Sequence, residues 1–518
     1  MSKSKKFDSQ IQIKKLYKKF KSDLCDDNMT FHDCELEILR NAVDESEIKK
    51  GVKNINNDEI KQMLKIVEDF LIRKKLVCYG GTAINNILPK FAQFYNRDIE
   101  IPDYDFYSSN ALEDSKELAD IYFKAGYTDV EAKAGVHMGT FKVFVNFIPI
   151  ADITQLNKMI FESISRDSIK IAGIYYAPPD FLRMAMYLEL SRPDGDVSRW
   201  EKVFKRLSLL NKHYPIKTNS KCNTIDFQRK SDLNSDQSEK LYISTRNSLI
   251  DQGVIFFGGY ATSLYSKYMS DDQKHIVKKI PDFDVLSEEP NKCATILKES
   301  LEREGFKKIS IINHDPIGEI IPYHVEIQVG KSSIAYIYKP IACHSYNKII
   351  VDNNEINVAT IDTILAFYLS FLYIDNKNYN KDRLLCMAKF LFNVEDKNRL
   401  AQIGLLKRFS LDCYGKQMTL EDIRSEKALK YKELSKERGS KEYQMWFLKY
   451  VPSKLEKNKE ITEKEMETNK KDSIHVATIL ESKKKNRKNR KNKTQKVSII
   501  NFLKKKKTQK QKGVLPFF

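Results

Sequence analysis

The feature that most restricts the fold of this chain is a pair of motifs that occurs twice in the same order. A diglycine follows a short apolar run in VCYGGTAI at residues 77–84, and IPDYDF follows at 101–106. The second copy reads FFGGYAT at 256–262 and IPDFDV at 280–285. Similar helix and strand patterns come after both copies in the same order, which indicates a duplication. We therefore expect this chain of 518 residues to fold as two related halves.

The periodicity of apolar residues predicts an α/β (α+β) fold class. Residues 141–147 and 323–329 have the composition of strands, whereas 200–211 and 382–393 have the spacing of helices. We predict two tandem modules, each a mixed sheet with flanking helices plus a helical part. The predicted segments are an N-terminal helical extension at 1–50, the first module at 51–217, a polar linker at 218–239, the second module at 240–400, a C-terminal helical segment at 401–471 and a basic tail at 472–518.

Most of the excess positive charge lies on the C-terminal tail. The formal net charge is +19, and residues 483–512 hold 15 Lys or Arg and no acidic residue. A block of like charge is typical of a disordered arm that captures a polyanion such as RNA or DNA. A solvated tail and a nuclear-import signal stay open as alternatives. The candidate RNA contacts in this tail are Lys484, Arg487 and Arg490.

The eight cysteines are scattered along the chain and form no CxxC pair. Their spacing disfavours a zinc site and a disulfide framework, and we expect reduced thiols. No uninterrupted apolar run approaches the roughly 18 residues that indicate a membrane span. We therefore expect no membrane partner.

Carboxylates with the spacing of a cation site lie in the first copy. Asp103 and Asp105 are two residues apart on a predicted strand, so their side chains lie on one face. Such like charges raise one another's pKa, and hard divalent cations relieve that conflict because they prefer carboxylate and phosphate oxygens. Asp152, flanked by apolar residues on a later predicted strand, is the candidate third carboxylate.

The diglycine of the first copy has the arrangement of a phosphate-binding turn. Gly80 and Gly81 lie between a predicted buried strand and a helix predicted to begin at Thr82. Glycine lets the backbone approach a ligand, and the free N–H groups at a helix N-terminus attract an anion. A glycine required only for a tight strand–helix turn is the alternative interpretation.

Together these motifs resemble the DNA polymerase β-like nucleotidyltransferase superfamily. Within it, the chain is most similar to the poly(A) polymerase catalytic subunits of large cytoplasmic DNA viruses, especially giant (mimivirus-like) viruses, with poxviral enzymes as relatives. The residues that carry the resemblance lie at 79–83, 102–105 and 151–153, and in the long segment 175–207. It covers residues from about 50 to 400, and its motifs are specific in the first half.

The resemblance implies a template-independent polymerase that adds AMP from ATP to RNA 3′ ends and releases pyrophosphate. Asp103, Asp105 and Asp152 would be both catalytic and metal-binding, holding two Mg²⁺ or Mn²⁺ ions. Residues implied to bind nucleotide are Gly80, Gly81, Thr82, Arg192, Arg199 and Lys202. Residues implied to bind RNA are Trp200 and Arg206, in addition to the three tail residues. For Trp200 and the four basic residues at 192–206, the surface of an amphipathic helix stays open as the alternative.

The second copy keeps Gly258, Gly259, Asp282 and Asp284, but its third position differs. Aligning the two copies places Tyr336 where Asp152 stands, and tyrosine is a poor ligand for a hard cation at neutral pH. Compensation by Glu326, on the preceding predicted strand, is disfavoured by its offset. We expect the second half to be catalytically degenerate, serving as a scaffold or an RNA platform.

Other activities and partners stay open at this point. Rival functions are a uridylyl or CCA-adding terminal transferase and a non-catalytic RNA-binding processivity scaffold. Expected partners are ATP and an RNA 3′ end, and a homodimer or a separate processivity subunit is compatible with the resemblance. The last eight residues, 511–518, fit a sliding-clamp motif weakly. The resemblance implies viral factories in the host cytoplasm, with virion packaging and nuclear import left open.

Overall fold

The computed structural model describes residues 22–25, 29–55, 57–96, 102–219, 221–229, 235–278, 280–318, 320–374 and 379–454. Met1–Pro452 form one compact unit and Ser453–Phe518 a second, and the elements below belong to the first. The predicted basic tail, with Lys484, Arg487 and Arg490, lies outside the described residues, and so does the predicted clamp motif.

A mixed sheet of eight strands contains the first copy of the motifs. Its strands run in the order β16-β3-β4-β5-β2-β1-β7-β6. The central strands pair in both directions, because β1 is antiparallel to β2 and parallel to β7. The strands are β1 (Val77–Cys78), β2 (Tyr104–Ser108), β3 (Val130–Ala134), β4 (Thr140–Val145), β5 (Ile148–Gln155), β6 (Ile169–Ile171), β7 (Ile174–Tyr176) and β16 (Lys449–Tyr450).

A second eight-stranded sheet repeats seven strands of this arrangement, and its eighth strand lies at the opposite edge. Its order is β10-β11-β12-β9-β8-β14-β13-β15. Each of β1–β7 has its counterpart seven strands later, and the antiparallel and parallel pairings are also the same. The strands are β8 (Ile255–Phe256), β9 (Phe283–Leu286), β10 (Ile309–His314), β11 (His324–Val329), β12 (Ser332–Tyr338), β13 (His344–Val351), β14 (Asn354–Ala359) and β15 (Cys413–Tyr414). The predicted mixed α/β fold class with two related sheets is confirmed.

Helices flank the two sheets. In chain order they are α1 (Phe31–Ile55), α2 (Asp58–Lys74), α3 (Gly80–Ile87), α4 (Ala111–Lys124), α5 (Lys158–Arg166), α6 (Pro179–Leu190), α7 (Trp200–His213), α8 (Ser235–Asp251), α9 (Gly259–Ser263), α10 (Pro290–Arg303), α11 (Ile361–Phe371), α12 (Lys381–Lys397), α13 (Leu420–Leu434) and α14 (Lys441–Phe447). Among the described residues, no helix combines the length and the apolar character needed to cross a membrane.

Helix α2 shows how local sequence sets these boundaries. The Asn57 side chain accepts a hydrogen bond from the Glu59 backbone N–H and caps the helix. The helix ends at Lys75, whose backbone is left-handed and whose N–H donates to the Ile72 carbonyl. Buried residues recur at helical spacing and pack the helix on the first sheet.

The two halves meet through corresponding helices. Helix α6 of the first half packs against α11 of the second, and these are the helices that the repeat places at equivalent positions. Every residue of α11 is buried, which explains why the helix is mostly apolar. The Ser345 N–H also donates to the Ser191 carbonyl, at 2.8 Å, and ties β13 to the end of α6. The contact joins like surfaces, as in a two-fold dimer.

The segment predicted as helical at 401–471 differs from the expectation over its described part. It contains α13 and α14, but it also supplies the edge strands β15 and β16, which pair with β13 and β3. Strands of two residues are too short to leave a period in the sequence, so pattern analysis missed them.

The expectation of reduced thiols is wrong for six of the eight cysteines. Disulfides join Cys25 to Cys34, Cys222 to Cys386 and Cys343 to Cys413. Cys78 and Cys293 are free and buried. The Cys222–Cys386 pair is separated by 164 residues in sequence, so only the tertiary fold brings its Cα atoms within 5.3 Å.

Candidate active site

The first diglycine forms a turn that brings the start of helix α3 close to the Asp105 carboxylate. The Tyr79 N–H donates to the Asp105 carbonyl at 2.9 Å, and α3 begins at Gly80, two residues before the predicted start. Gly80 has φ +71°, and a Cβ on it would lie 2.7 Å from Oδ2 of Asp105. Both the backbone conformation and the close approach therefore require glycine here.

Three carboxylates come together beside this turn. Parallel pairing of β2 with β5 places Asp105 directly opposite Asp152. Asp103 immediately precedes β2, two residues from Asp105 and therefore on the same face. The Thr82 hydroxyl donates to the Asp103 carbonyl at 2.7 Å, which fixes α3 against the start of β2. Asp103 is exposed, and the other two carboxylates are half-buried.

Burial and, to a smaller extent, mutual repulsion raise the pKa of two of the carboxylates. Burial, together with the charges of Asp103 and Asp152, raises the pKa of Asp105 to about 7. Burial and the charge of Asp152 also raise the pKa of Asp103. Carboxylates on neighbouring strands whose negative charge is only partly neutralised suit hard divalent cations, so the chemistry of this residue set fits Mg²⁺ or Mn²⁺.

Lys142 belongs to the site but was missed by the sequence analysis. It lies opposite Asp152 across the β4–β5 pairing, and its ammonium forms an ion pair with Asp152 Oδ2. Its charge opposes the rise in the pKa of both Asp103 and Asp105. The alternation of residues in FKVFVNF (141–147) could have identified Lys142, because it puts this side chain on the face opposite Phe141 and Val143.

Two aromatic residues and Arg206 approach the start of α3. The Arg206 guanidinium donates to the Tyr95 hydroxyl at 2.6 Å and lies 5.0 Å from the Phe94 ring centroid. A Cβ on Gly81 would lie 2.4 Å from the Tyr95 hydroxyl and 2.9 Å from Arg206 Nη1. The second glycine therefore admits a cation to the N-terminal turn of α3, where an anion would bind.

Further positive charge faces the carboxylates from the region of α7. Lys202 opposes the rise in the pKa of Asp103, and Arg199 does so for Asp105. Arg199 also forms an ion pair with Glu189, with 3.1 Å between Nε and Oε1. These cations thus share one side of the site, where they can neutralise phosphate.

The position of Trp200 favours packing over base stacking. Its indole N–H donates to the Glu189 carbonyl at 3.1 Å, and its ring lies 6.0 Å from that of Phe409. The ring is partly buried against the core. A stacking platform needs a free ring face, so the alternative interpretation from the sequence fits Trp200 better.

Two cavities lined by residues of the first half have the volume of ligand sites, and Asp103 lines the larger of these two. One, of about 910 Å³, includes Thr82, Tyr95 and Asp103 in its lining. The other, of about 690 Å³, is lined on one side by Tyr107, Thr154, Glu189, Arg192 and Arg199. Cavities of this size accept ligands as large as a nucleotide.

The second half keeps the geometry of the motifs but lacks the third carboxylate. Parallel pairing of β9 with β12 places Tyr336 opposite Asp284, as the sequence alignment predicts. Glu326 occupies the position equivalent to Lys142, opposite Tyr336. Its carboxylate accepts hydrogen bonds from Gln328 at 2.7 Å and Ser333, and it lies 2.8 Å from His314. Glu326 is therefore held in a network of its own.

Comparison with known proteins matches the region of the first site. Residues 65–196 match the family described as poly(A) polymerase catalytic subunit. An African swine fever virus protein that carries this name is 34% identical over 170 residues, covering 32% of this chain and 35% of that protein. A protein of Acanthamoeba polyphaga mimivirus with the same name is 26% identical over 347 residues, covering 61% and 57%. The match thus spans about a third of the length of the swine fever virus relatives.

The likeness in fold extends further than the likeness in sequence. The crystal structure of the Megavirus polyadenylate synthase superposes with a TM-score of 0.68, covering 82% of this chain and 85% of that one, at 20% identity. At that identity the match describes the fold, including both sheets. The matched residues 65–196 contain the glycine pair and all three carboxylates, so the similarity to the poly(A) polymerase catalytic subunit family includes the candidate site.

Proposed function

We propose that this chain adds AMP from ATP to RNA 3′ ends without a template, at the carboxylate site of its first half. The observation that carries the proposal is the set of Asp103, Asp105 and Asp152 beside the glycine turn, within the region that matches the family. In this reaction the RNA 3′ oxygen bonds to the α-phosphorus of ATP, the α–β phosphoanhydride breaks, and pyrophosphate and the hydroxyl proton are released.

Each aspartate of the site would have its own role in this reaction. Asp103 and Asp105 would hold two divalent cations, and Asp152 would complete the ligands near the RNA 3′ hydroxyl. When bound, such cations lower the pKa of the attacking hydroxyl and stabilise the charge of the departing pyrophosphate. Thr82 positions Asp103 through its carbonyl.

The triphosphate would lie at the N-terminal turn of α3. Gly80 and Gly81 leave room there, and the helix start attracts the anion. Arg206 lies beside that turn, and Lys202 and Arg199 face the carboxylates. Lys142 would leave Asp152 when a divalent cation arrives, because a flexible exposed ammonium is readily displaced.

The test is extension of an RNA primer with each single nucleoside triphosphate, in Mg²⁺ and in Mn²⁺. Long tails from ATP alone support the proposal. Extension with UTP, or short CCA addition, would identify another terminal transferase, and no extension with any nucleotide would favour an RNA-binding scaffold. Asp103→Asn is the matched control and should abolish extension.

Partners and location follow from the same proposal. The relatives are named as catalytic subunits, which supports a separate processivity subunit beside ATP and the RNA 3′ end. Their viral origin supports action in the host cytoplasm. A homodimer is the alternative source of processivity, and sedimentation of the purified chain with and without RNA distinguishes the two arrangements.

A further inference from the structure

The acidic pair of the second half is closed off from solvent. Asp282 and Asp284 are 1% and 5% exposed, whereas Asp103 of the first half is exposed. A buried carboxylate must be neutralised or paired, because burial of an isolated charge is very costly. The neighbours of this pair therefore decide what the second site can bind.

Arg229 neutralises both carboxylates. Its Nη1 forms an ion pair with Asp282, and its Nη2 lies 2.5 Å from Oδ1 of Asp284. Its own backbone N–H donates to the second oxygen of Asp282 at 2.8 Å. Arg383 adds a contact at 3.2 Å to that oxygen, so two guanidinium groups balance two carboxylates. The Arg229 side chain is only 14% exposed.

Tyr336 helps to hold this guanidinium. The Arg229 group lies 4.4 Å from the Tyr336 ring centroid, within the range of a cation–π contact. Tyr336 is the residue that stands in place of Asp152, so the substitution replaces a cation ligand with a surface for an arginine. Burial alone would lower the pKa of Arg229, but Asp282 and Asp284 raise it well above its usual value, so the guanidinium stays charged.

The segment that carries Arg229 is fixed to the second half. We call residues 221–229 the arginine strap; they lie in the predicted linker. Phe227 is buried, packs 5.8 Å from the Phe390 ring and donates its N–H to the Ile276 carbonyl. Gln228 is buried as well and accepts a hydrogen bond from the Lys278 N–H. The Cys222–Cys386 disulfide joins the strap to α12.

The two halves thus neutralise their carboxylates with different kinds of cation. Lys142 in the first half is 38% exposed on its side chain and contacts one carboxylate. Arg229 bridges two buried carboxylates from a packed strap, and its planar fork suits that bridging geometry. A metal ion can displace the solvent-accessible Lys142 side chain, whereas displacing Arg229 would require moving the strap.

We propose that the Arg229 guanidinium permanently occupies the cation position of the second half, so that this half binds no divalent cation and is stabilised by its own side chain instead. The residues do not fit a metal, because both carboxylates are already bridged and the third ligand is absent. The role of Arg229 is structural, and the inference stands independently of which nucleotide the first half uses.

The experiment measures Mn²⁺ binding and thermal unfolding of the full chain. Mn²⁺ is titrated by electron paramagnetic resonance into the wild type, Arg229→Met and the exposed control Arg303→Met. Wild type and control should bind Mn²⁺ only at sites that Asp103→Asn weakens. Arg229→Met should unfold at a lower temperature in EDTA and gain Mn²⁺ binding, with partial recovery of its unfolding temperature.

A double variant separates charge from packing. Arg229→Met/Asp284→Asn removes one charge of each sign, so it should be more stable in EDTA than Arg229→Met and lose the gained Mn²⁺ binding. If Arg229→Met does not fold, folding of the double variant supports the proposal and its failure to fold contradicts it. Wild-type Mn²⁺ binding that disappears on Asp284→Asn would overturn the proposal, and so would an Arg229→Met protein with unchanged stability and Mn²⁺ binding.

Discussion

At the scale of single residues, the two halves differ at two facing positions. The first has Asp152 opposite Lys142, and the second has Tyr336 opposite Glu326. In the first half, the exchangeable ammonium of Lys142 pairs with Asp152, a candidate metal ligand. In the second half, no carboxylate stands at the position of Asp152. The two halves thus differ in the third carboxylate on which the proposed cation site depends.

Gly80→Ala should reduce nucleotide addition by roughly 10- to 100-fold, because a Cβ at residue 80 would displace the Asp105 carboxylate. The matched control is Gly253→Ala, since Gly253 has a similar φ of +66° with nothing within 4 Å of a Cβ. Each variant should lose about 1–2 kcal/mol of stability from backbone strain. Initial rates and urea unfolding provide the two readouts. Equal loss of activity in both variants would contradict a specific contact with Asp105.

Buried histidines of the second half should make the protein acid-sensitive. Burial lowers the pKa of His344 to about 3 and that of His324 to about 4. The unfolded chain takes up these protons near pH 6.5, so stability is complete above pH 6.5 and is lost as the pH falls towards 4. Each buried histidine contributes at most about 1.4 kcal/mol per pH unit in this range.

Urea unfolding between pH 7 and pH 4.5 measures this slope. His344→Leu should flatten it, because the variant has no imidazole to protonate on unfolding. The control is His137→Leu, which removes an exposed imidazole that carries no burial penalty. A slope unchanged by His344→Leu, or changed equally by the control, would show that acid sensitivity arises elsewhere.

At the scale of elements, a buried charge cluster joins the two halves where α6 meets α11 and α12. Arg408 is 2.7 Å from Asp362 on α11 and 2.5 Å from Glu395 on α12. The Tyr187 hydroxyl on α6 donates to Glu395 at 3.3 Å. The packing of corresponding helices is therefore reinforced by one arginine from the segment that follows α12.

Arg408→Met should destabilise the protein by about 3–5 kcal/mol, because it leaves two buried carboxylates without their cation. The control is Arg399→Met, whose ion pair with Asp396 is 65% exposed on the arginine side. That variant should change stability by less than about 1 kcal/mol. The measurement is the midpoint of urea unfolding. Similar midpoints for both variants would mean that the cluster does not hold the halves together.

The elements that could be predicted are those with a local signature. The helical spacing at 200–211 predicted α7 (Trp200–His213) because its period lies within the helix itself. Strand alternation predicted that Asp103 and Asp105 share a face, whereas the pairing of Asp105 with Asp152 depends on a strand register that the sequence did not predict. Arg229 could not be predicted, because its polar strap has no period and its partners lie more than 50 residues away. The Cys222–Cys386 and Cys343–Cys413 pairs were missed for the same reason, since tertiary packing decides them.

At the scale of the whole molecule, the fold is duplicated, but the two acidic sites differ. The first half has the proposed catalytic carboxylates, and in the second half Arg229 bridges the acidic pair. Both halves keep the strand order and the glycine turn, and the second half has Tyr336 at the position of the third carboxylate. The corresponding helices of the two halves pack against each other. We therefore expect the second half to stabilise the first.

The most direct test of this account compares Asp103→Asn with Asp282→Asn in an RNA extension assay with ATP. Both rates are normalised to the folded fraction, because Asp282 is buried and paired with two arginines. The account predicts that Asp103→Asn loses extension by roughly 1,000-fold or more, as expected for loss of a metal ligand. Folded Asp282→Asn should extend RNA within about threefold of wild type. Comparable loss in both variants would contradict the assignment of catalysis to the first half alone.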